Sequence, residues 1–397
     1  MAEKTPAAII GGGIAGLTCA YRLSQKGIKT TLFEKESFLG GRLLYSGVIG
    51  GATVQPNSDN LVKELGLEEV RIFLDLSDMG AILPNGNFFP MEKSPEMMKS
   101  FSKEELLYWE KLIGFLRKNL SSFNVKNKRS SEIERLHQIS FGEYIKDCPQ
   151  KLLPLLSFEF NIRTVSDFNA VAADWGLHCL LPLLVLFKKE VYTFEENLIV
   201  LANVLAEKIK EKKGKILTDC EVIKIKKKEN DFEIFYQKRE KREIEKIEAD
   251  KVVLALPLEN IKEIFPEIAF ESDIIYKKEK CIFLQGELKY ERKVFFGFPQ
   301  NPANLALLIA TIPEEHRFYL LDDSREARLD FLYRDWKVLD ERIIESAWPI
   351  IPPGGRVPQL KSSIEGVYLC GDFYYFPCHD TSVATAEMVA EMIEKEI

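Results

Sequence analysis

The sequence predicts an α/β fold: a discontinuous Rossmann-like nucleotide-binding domain accompanied by a second, mixed α+β domain. Three observations carry this. An apolar run, a glycine turn, an amphipathic segment and a second apolar run ending in acid follow one another between Ala7 and Glu34. A continuous apolar run recurs at Ala249–Pro257 (ADKVVLALP), and another, GVYLCGD, stands at Gly366–Asp372. Short apolar runs without alternation are the pattern of parallel strands covered on both faces.

In chain order, the stretch AAIIGGGIAGLTCAYRLSQKGIKTTLFEKE reads as strand, turn, helix ending at Gly27, and strand. Gly11, Gly13 and Gly16 form G-x-G-x-x-G, with Ala15 inside it. Missing side chains there allow a tight turn, close approach to a pyrophosphate and close helix packing, and the helix N-terminus offers unpaired N–H groups to phosphate. Eighteen residues after Gly16 the second strand ends at Glu34, followed by Lys35. An acid at this point is placed for the ribose hydroxyls of an adenine dinucleotide. Alone, this unit fits NAD as well as FAD.

From about Asp75 to Phe194 the pattern is helical and irregular, with no glycine-rich turn, and reads as an insertion. Within it, the 12-residue window Gly176–Phe187 (GLHCLLPLLVLF) is too short to span a bilayer as a helix. It reads as a buried helix or an apolar pocket wall, the rival being a membrane-surface patch. An amphipathic helix over Asn197–Lys212 leads through Gly214 into the strands ILTDCEVIKIKKK and DFEIFYQKR. The Lys- and Glu-rich run from Lys224 to Lys246 alternates with Ile, Phe and Tyr, as the solvated face of a hairpin does. After ADKVVLALP come strands such as CIFLQGELKY, then GVYLCGD and a final helix.

The net charge of -7 argues against a nucleic-acid partner, which calls for a concentrated basic face. Seven cysteines with no CxxC pair read as reduced thiols, and no signal peptide is recognisable, so a soluble, cytoplasmic protein is expected. No repeat is visible.

Beyond Glu34 the chain reads Gly40-Gly41-Arg42, and then GGATVQPNSDNLVKELGLEE at Gly50–Glu69. With these segments the sequence resembles the flavin amine oxidase superfamily, which includes monoamine oxidases, protoporphyrinogen oxidases and carotenoid desaturases. The resemblance implies FAD. It places Gly41 and Arg42 near the diphosphate and flavin, and Ala52 and Thr53 beside the isoalloxazine. DCEVIKIKK is similar to the strand whose backbone near Val222 holds the adenine, and GVYLCGD, with Gly371 and Asp372, to the terminal flavin motif. The helix after it, with Ser382 and Val383, would aim its N-terminus at flavin N1 and C2. The chain departs from the pattern in YTFEENLIVLA, which lacks the usual proline and paired glycines, and in the final helix, which reads ATA and VA where EGA and SG are usual.

For chemistry, the resemblance implies a lysine near flavin N5, and Lys280 in KKEKCIFLQGEL is the candidate, against the plain reading of a lysine in a charged turn. His379, one of only four histidines, lies in DFYYFPCHDTS and could serve as general acid or base or as a structural histidine. Cys378 beside it could attach flavin covalently. The expected organisation is an FAD domain from residues 1–75, 198–258 and 355–397, and a substrate domain from 76–197 and 259–354. The expected activity is hydride transfer from substrate carbon to flavin N5. Oxidation of an amine leads; desaturation of an apolar or tetrapyrrole-like substrate and a non-catalytic flavin scaffold are the rivals. A small apolar or aromatic substrate and dioxygen or another electron acceptor are the expected partners.

Overall fold

A computed structural model describes residues 4–45, 48–164, 166–185, 188–239, 243–297, 301–310, 316–320 and 326–396. The strand Lys4–Ile10 pairs in parallel with Thr30–Phe33 on one side and with Ile244–Leu254 on the other, and Thr30–Phe33 pairs in parallel with Lys215–Leu217. Ala7 to Ile10 are all buried, which explains the unalternated run: this strand is covered on both faces. The far edge of Ile244–Leu254 is shared. Residues 244–249 pair antiparallel with Phe232–Lys238, whereas Val252 to Leu254 pair in parallel with Val367–Leu369. One long strand thus joins the charged hairpin to the C-terminal strand, and Cys220–Lys227 closes the hairpin at the sheet edge.

The helix Ile14–Gln25 follows the glycine turn and packs against the C-terminal helix His379–Glu394 and against Ile199–Glu211. Gly27, at φ +76°, ends it, a left-handed step that glycine takes without steric cost.

The second large sheet runs in the order Tyr333–Ile350, Ile275–Leu288, His316–Leu320, Leu305–Ile309, Val294–Gly297, Met79–Ile82, Phe88–Pro90. Met79–Ile82 and Phe88–Pro90 are strands within the region that the sequence reading took as a largely helical, irregular insertion. The signal was local: Leu83 to Asn87 (LPNGN) closes a hairpin, with Gly86 at φ +81° donating its N–H to Leu83 O (2.9 Å). Between this hairpin and residue 185 the chain is helical, with a core of its own around Leu116, Phe141, Phe160 and Trp175. Of the apolar window Gly176–Phe187, residues Leu177 to Val185 join that core, apart from His178 and Pro182; the window's last two residues lie outside those described. Among the described residues no helix is long and apolar enough to cross a membrane.

Candidate active site

The glycine turn is built by contact. A Cβ on Gly11, whose φ is +108°, would lie 2.4 Å from Ala255 O, and one on Gly16 would lie 1.9 Å from Gly11 O, so both glycines are demanded by the protein itself. Gly13 differs: a Cβ there would meet nothing within 4 Å. Gly13 lines a cleft, so its bare backbone leaves room for a ligand to approach closely. The Gly40-Gly41-Arg42 loop folds onto this turn, with Gly40 N donating to Gly12 O at 2.8 Å. Glu34 accepts from Gly12 N (2.7 Å) and Glu36 N (2.9 Å). Burial raises its carboxyl above the usual range, partly opposed by those two N–H donors. Lys35 beside it is exposed.

The cleft runs from Gly13, Ala15 and Arg42 to Gly371, Asp372 and Ser382, and so gathers residues from both ends of the chain. Arg42 Nη1 and Nη2 donate to Asp372 Oδ2 (2.6 Å) and Oδ1 (2.7 Å), and Nη1 also to Ala347 O (3.0 Å). Desolvation works against the guanidinium charge, but Asp372 outweighs it and holds Arg42 above its ordinary value. Ser382 and His379 come from the first turn of the C-terminal helix and line the cleft. His379 Nε2 is buried with no partner among the described residues, and burial, helped by the charge of Arg163, lowers its pKa to about 4. The imidazole is therefore neutral near pH 7 and poorly matched to proton donation there. Burial pushes the Cys378 thiol up to about 12, which makes it unreactive; its sulfur caps the helix by accepting from Thr381 N.

Several expected positions fall elsewhere. Val383 is core, because helical spacing turns it inward one residue after Ser382. Ala52 is exposed and Thr53 does not line the cleft; Gly50, Val54 and Gln55, at either end of the short helix Gly51–Val54, do. Val222 is buried away from the cleft on the hairpin edge, two residues past Cys220, whose N–H donates to Glu34 O at 2.8 Å. It thus stands beside the Glu34 end of the turn.

Lys280 does not line the cleft; its Nζ pairs with Glu341 at 2.6 Å. The preceding residue, Glu279, faces the cleft instead, because successive residues of a strand point to opposite faces. Its carboxyl is buried, accepts from Trp348 Nε1 at 3.0 Å, and is pushed up to about 8 by burial. The sequence reading passed over Glu279 for the lysine next to it. Glu159 and Arg163, paired one turn apart (2.7 Å) on the helix Leu153–Thr164, also line the cleft, and no motif announced them. The remaining wall is apolar, with Met79, Val191, Phe296, Leu307 and Ile344.

The residues present fit a dinucleotide that reaches from the glycine turn to the C-terminal helix: the clear space at Gly13, the acid at Glu34 and the helix N-terminus suit its pyrophosphate, ribose and flavin ends. The fold is that of known oxidases. A cyclohexylamine oxidase from Brevibacterium oxydans IH-35A superposes with a TM-score of 0.69 over 99% of both chains at 14% identity. A CLA-producing fatty acid isomerase from P. acnes does so with a TM-score of 0.71 over 98% of both chains at 15% identity. In sequence, protoporphyrinogen oxidase 2, chloroplastic/mitochondrial, of Arabidopsis thaliana is 28% identical over 155 residues, 35% of this chain and 30% of that protein. The match thus spans about a third of that relative's length. Residues 14–393 match the profile of one family throughout, and the chain belongs to the flavin containing amine oxidoreductases, whose cofactor here is FAD.

Proposed function

We propose that this chain, an FAD-dependent oxidoreductase by family, oxidises an amine. The observation that carries the reading is Glu279, a buried acid on a cleft wall that also carries Met79, Phe296, Leu307 and Ile344, with Trp348 Nε1 as its hydrogen-bond donor. An amine reaches the protein as an ammonium ion and must lose a proton before its carbon can release a hydride. With its pKa moved up to about 8, Glu279 gains its carboxylate, the form that takes that proton, as pH rises toward about 8. FAD, when bound, would supply the hydride acceptor for the substrate carbon. Met79, Phe296 and Leu307 enclose the substrate body and exclude water. That apolar wall also supports a second reading, removal of hydrogen across a C–C bond of an apolar substrate.

Anaerobic mixing of the holoenzyme with primary amines, and separately with polyenes and porphyrinogens, tests both. Bleaching of the flavin by amines alone supports the first reading. Bleaching by polyenes or porphyrinogens alone replaces it with the second.

A further inference from the structure

Arg163 carries an unused edge. Its Nη1 donates to Glu159 O (2.9 Å) and to Glu159 Oε2 (2.7 Å), while Nε and Nη2 make no hydrogen bond among the described residues. The residue lines the cleft with 26% of its side chain exposed, so that free edge is open to whatever the cleft holds. A guanidinium presents Nε–H and Nη2–H side by side, the spacing that matches both oxygens of a carboxylate.

Among the described residues Glu159 is the one side chain that pairs with this charge, and it does so through Nη1 alone. Glu159 is 5% exposed, and burial raises its carboxyl above the usual range against the opposing pull of Arg163. His178 and His379 are held neutral by burial, at about 3 and about 4, and the charge of Arg163 lowers both further. The Cys179 thiol is pushed up to about 12 by burial and stays protonated. A guanidinium left half-satisfied in a largely apolar cleft is costly unless a bound group completes it.

We infer that Arg163 anchors a carboxylate of the substrate, so that the substrate class is an amine bearing a carboxylate on an apolar body. This rests on the amine-oxidising reading. Arg163 would take the carboxylate, Glu279 the ammonium proton, and Phe296 and Leu307 the carbon body between them.

The holoenzyme and its Arg163→Met and Arg163→Lys variants would be titrated with benzoate and octanoate, with benzamide and octanamide as neutral controls, while the flavin absorbance is followed. In the native protein the carboxylates should bind about ten-fold or more tighter than the amides, and Arg163→Met should abolish the difference while FAD content stays normal. Arg163→Lys, which keeps the charge but not the fork, should retain part of it and guards against a misfolded Met variant. The KM of carboxylated amines should rise in Arg163→Met by a clearly larger factor than that of benzylamine. Equal affinity for carboxylates and amides in the native protein overturns the inference. So does a variant whose flavin reduction potential shifts while the carboxylate preference persists, which would place Arg163 on the cofactor. If no amine bleaches the flavin, the amine reading fails, yet the carboxylate-to-amide ratio still decides the role of Arg163.

Discussion

Arg42 and Asp372 stand 330 positions apart and meet as a two-pronged ion pair, at 2.6 and 2.7 Å, on the wall of the cleft. The arginine follows the loop folded onto the glycine turn, and the aspartate follows the last strand of the same sheet. Removing either partner leaves the other charge unmatched on the cleft wall. Because Arg42 is 37% exposed, the loss is moderate: Asp372→Ala and Arg42→Met should each cost about 1–3 kcal/mol of stability and weaken FAD retention. The double variant should cost little more than either single one, by thermal melts of each. Strict additivity would show that the pair does not act as a unit.

The glycine turn separates folding from binding. Gly16→Ala forces a Cβ to within 1.9 Å of Gly11 O and should destabilise the apo and loaded protein alike. Gly13→Leu places its side chain in open cleft, so the apo protein should melt within a degree or two of the native apo protein while FAD content falls toward zero. Stoichiometric FAD in purified Gly13→Leu would remove the pyrophosphate from this part of the cleft.

The glycine turn, Glu34 and the GVYLCGD strand were legible because each is fixed by local chemistry: a close contact, a strand end, a buried run. The cleft wall was not. Whether Glu279 or Lys280 faces the cleft depends on strand register, and that is set by pairing with Tyr333–Ile350 through bulges between Lys277 and Glu279 that no local pattern announces. Arg163 and Glu159 reach the cleft only through the packing of the helical core. The hairpin at LPNGN was written in the sequence as a turn signal and was outweighed by the helical pattern around it.

His137 makes a prediction about pH. Its Nδ1 lies 3.0 Å from Asp174 Oδ2 and its Nε2 lies 2.8 Å from Gly355 O, and both partners can only accept. Both ring nitrogens must therefore donate, which requires the imidazolium. Burial and Arg129 lower its pKa, but Asp174 and the Gly355 carbonyl outweigh them and hold it above the ordinary value. A raised pKa contributes stability that is fully present below the unfolded value of about 6.5 and is lost as pH rises through the folded value. The melting temperature should fall over that window more steeply in the native protein than in His137→Gln. Parallel pH profiles would show that the charged imidazole adds nothing.

Glu279 and Lys280 give the sharpest contrast, since they are neighbours on one strand with opposite surroundings. Glu279 faces the cleft with its carboxyl pushed up to about 8, so between about pH 4.3, its unfolded value, and about 8 the native protein binds a proton that the unfolded chain releases. Its contribution to stability therefore declines as pH rises through that window, and its carboxylate, the form that accepts the substrate proton, appears at the top of it. The kcat/KM for amine oxidation should rise with an apparent pKa near 8. Glu279→Gln should erase that limb and lower kcat/KM by about 10²–10⁴-fold with FAD content unchanged. Lys280 makes a part-exposed pair with Glu341, a kind worth about 1 kcal/mol or less. Lys280→Met should leave both kcat/KM and the rate of flavin reoxidation within about two-fold of native, since no electrostatic stabiliser is removed from the cleft. A thousand-fold slower reoxidation in Lys280→Met, with Glu279→Gln fully active, would reverse the two assignments and put the lysine at the flavin edge.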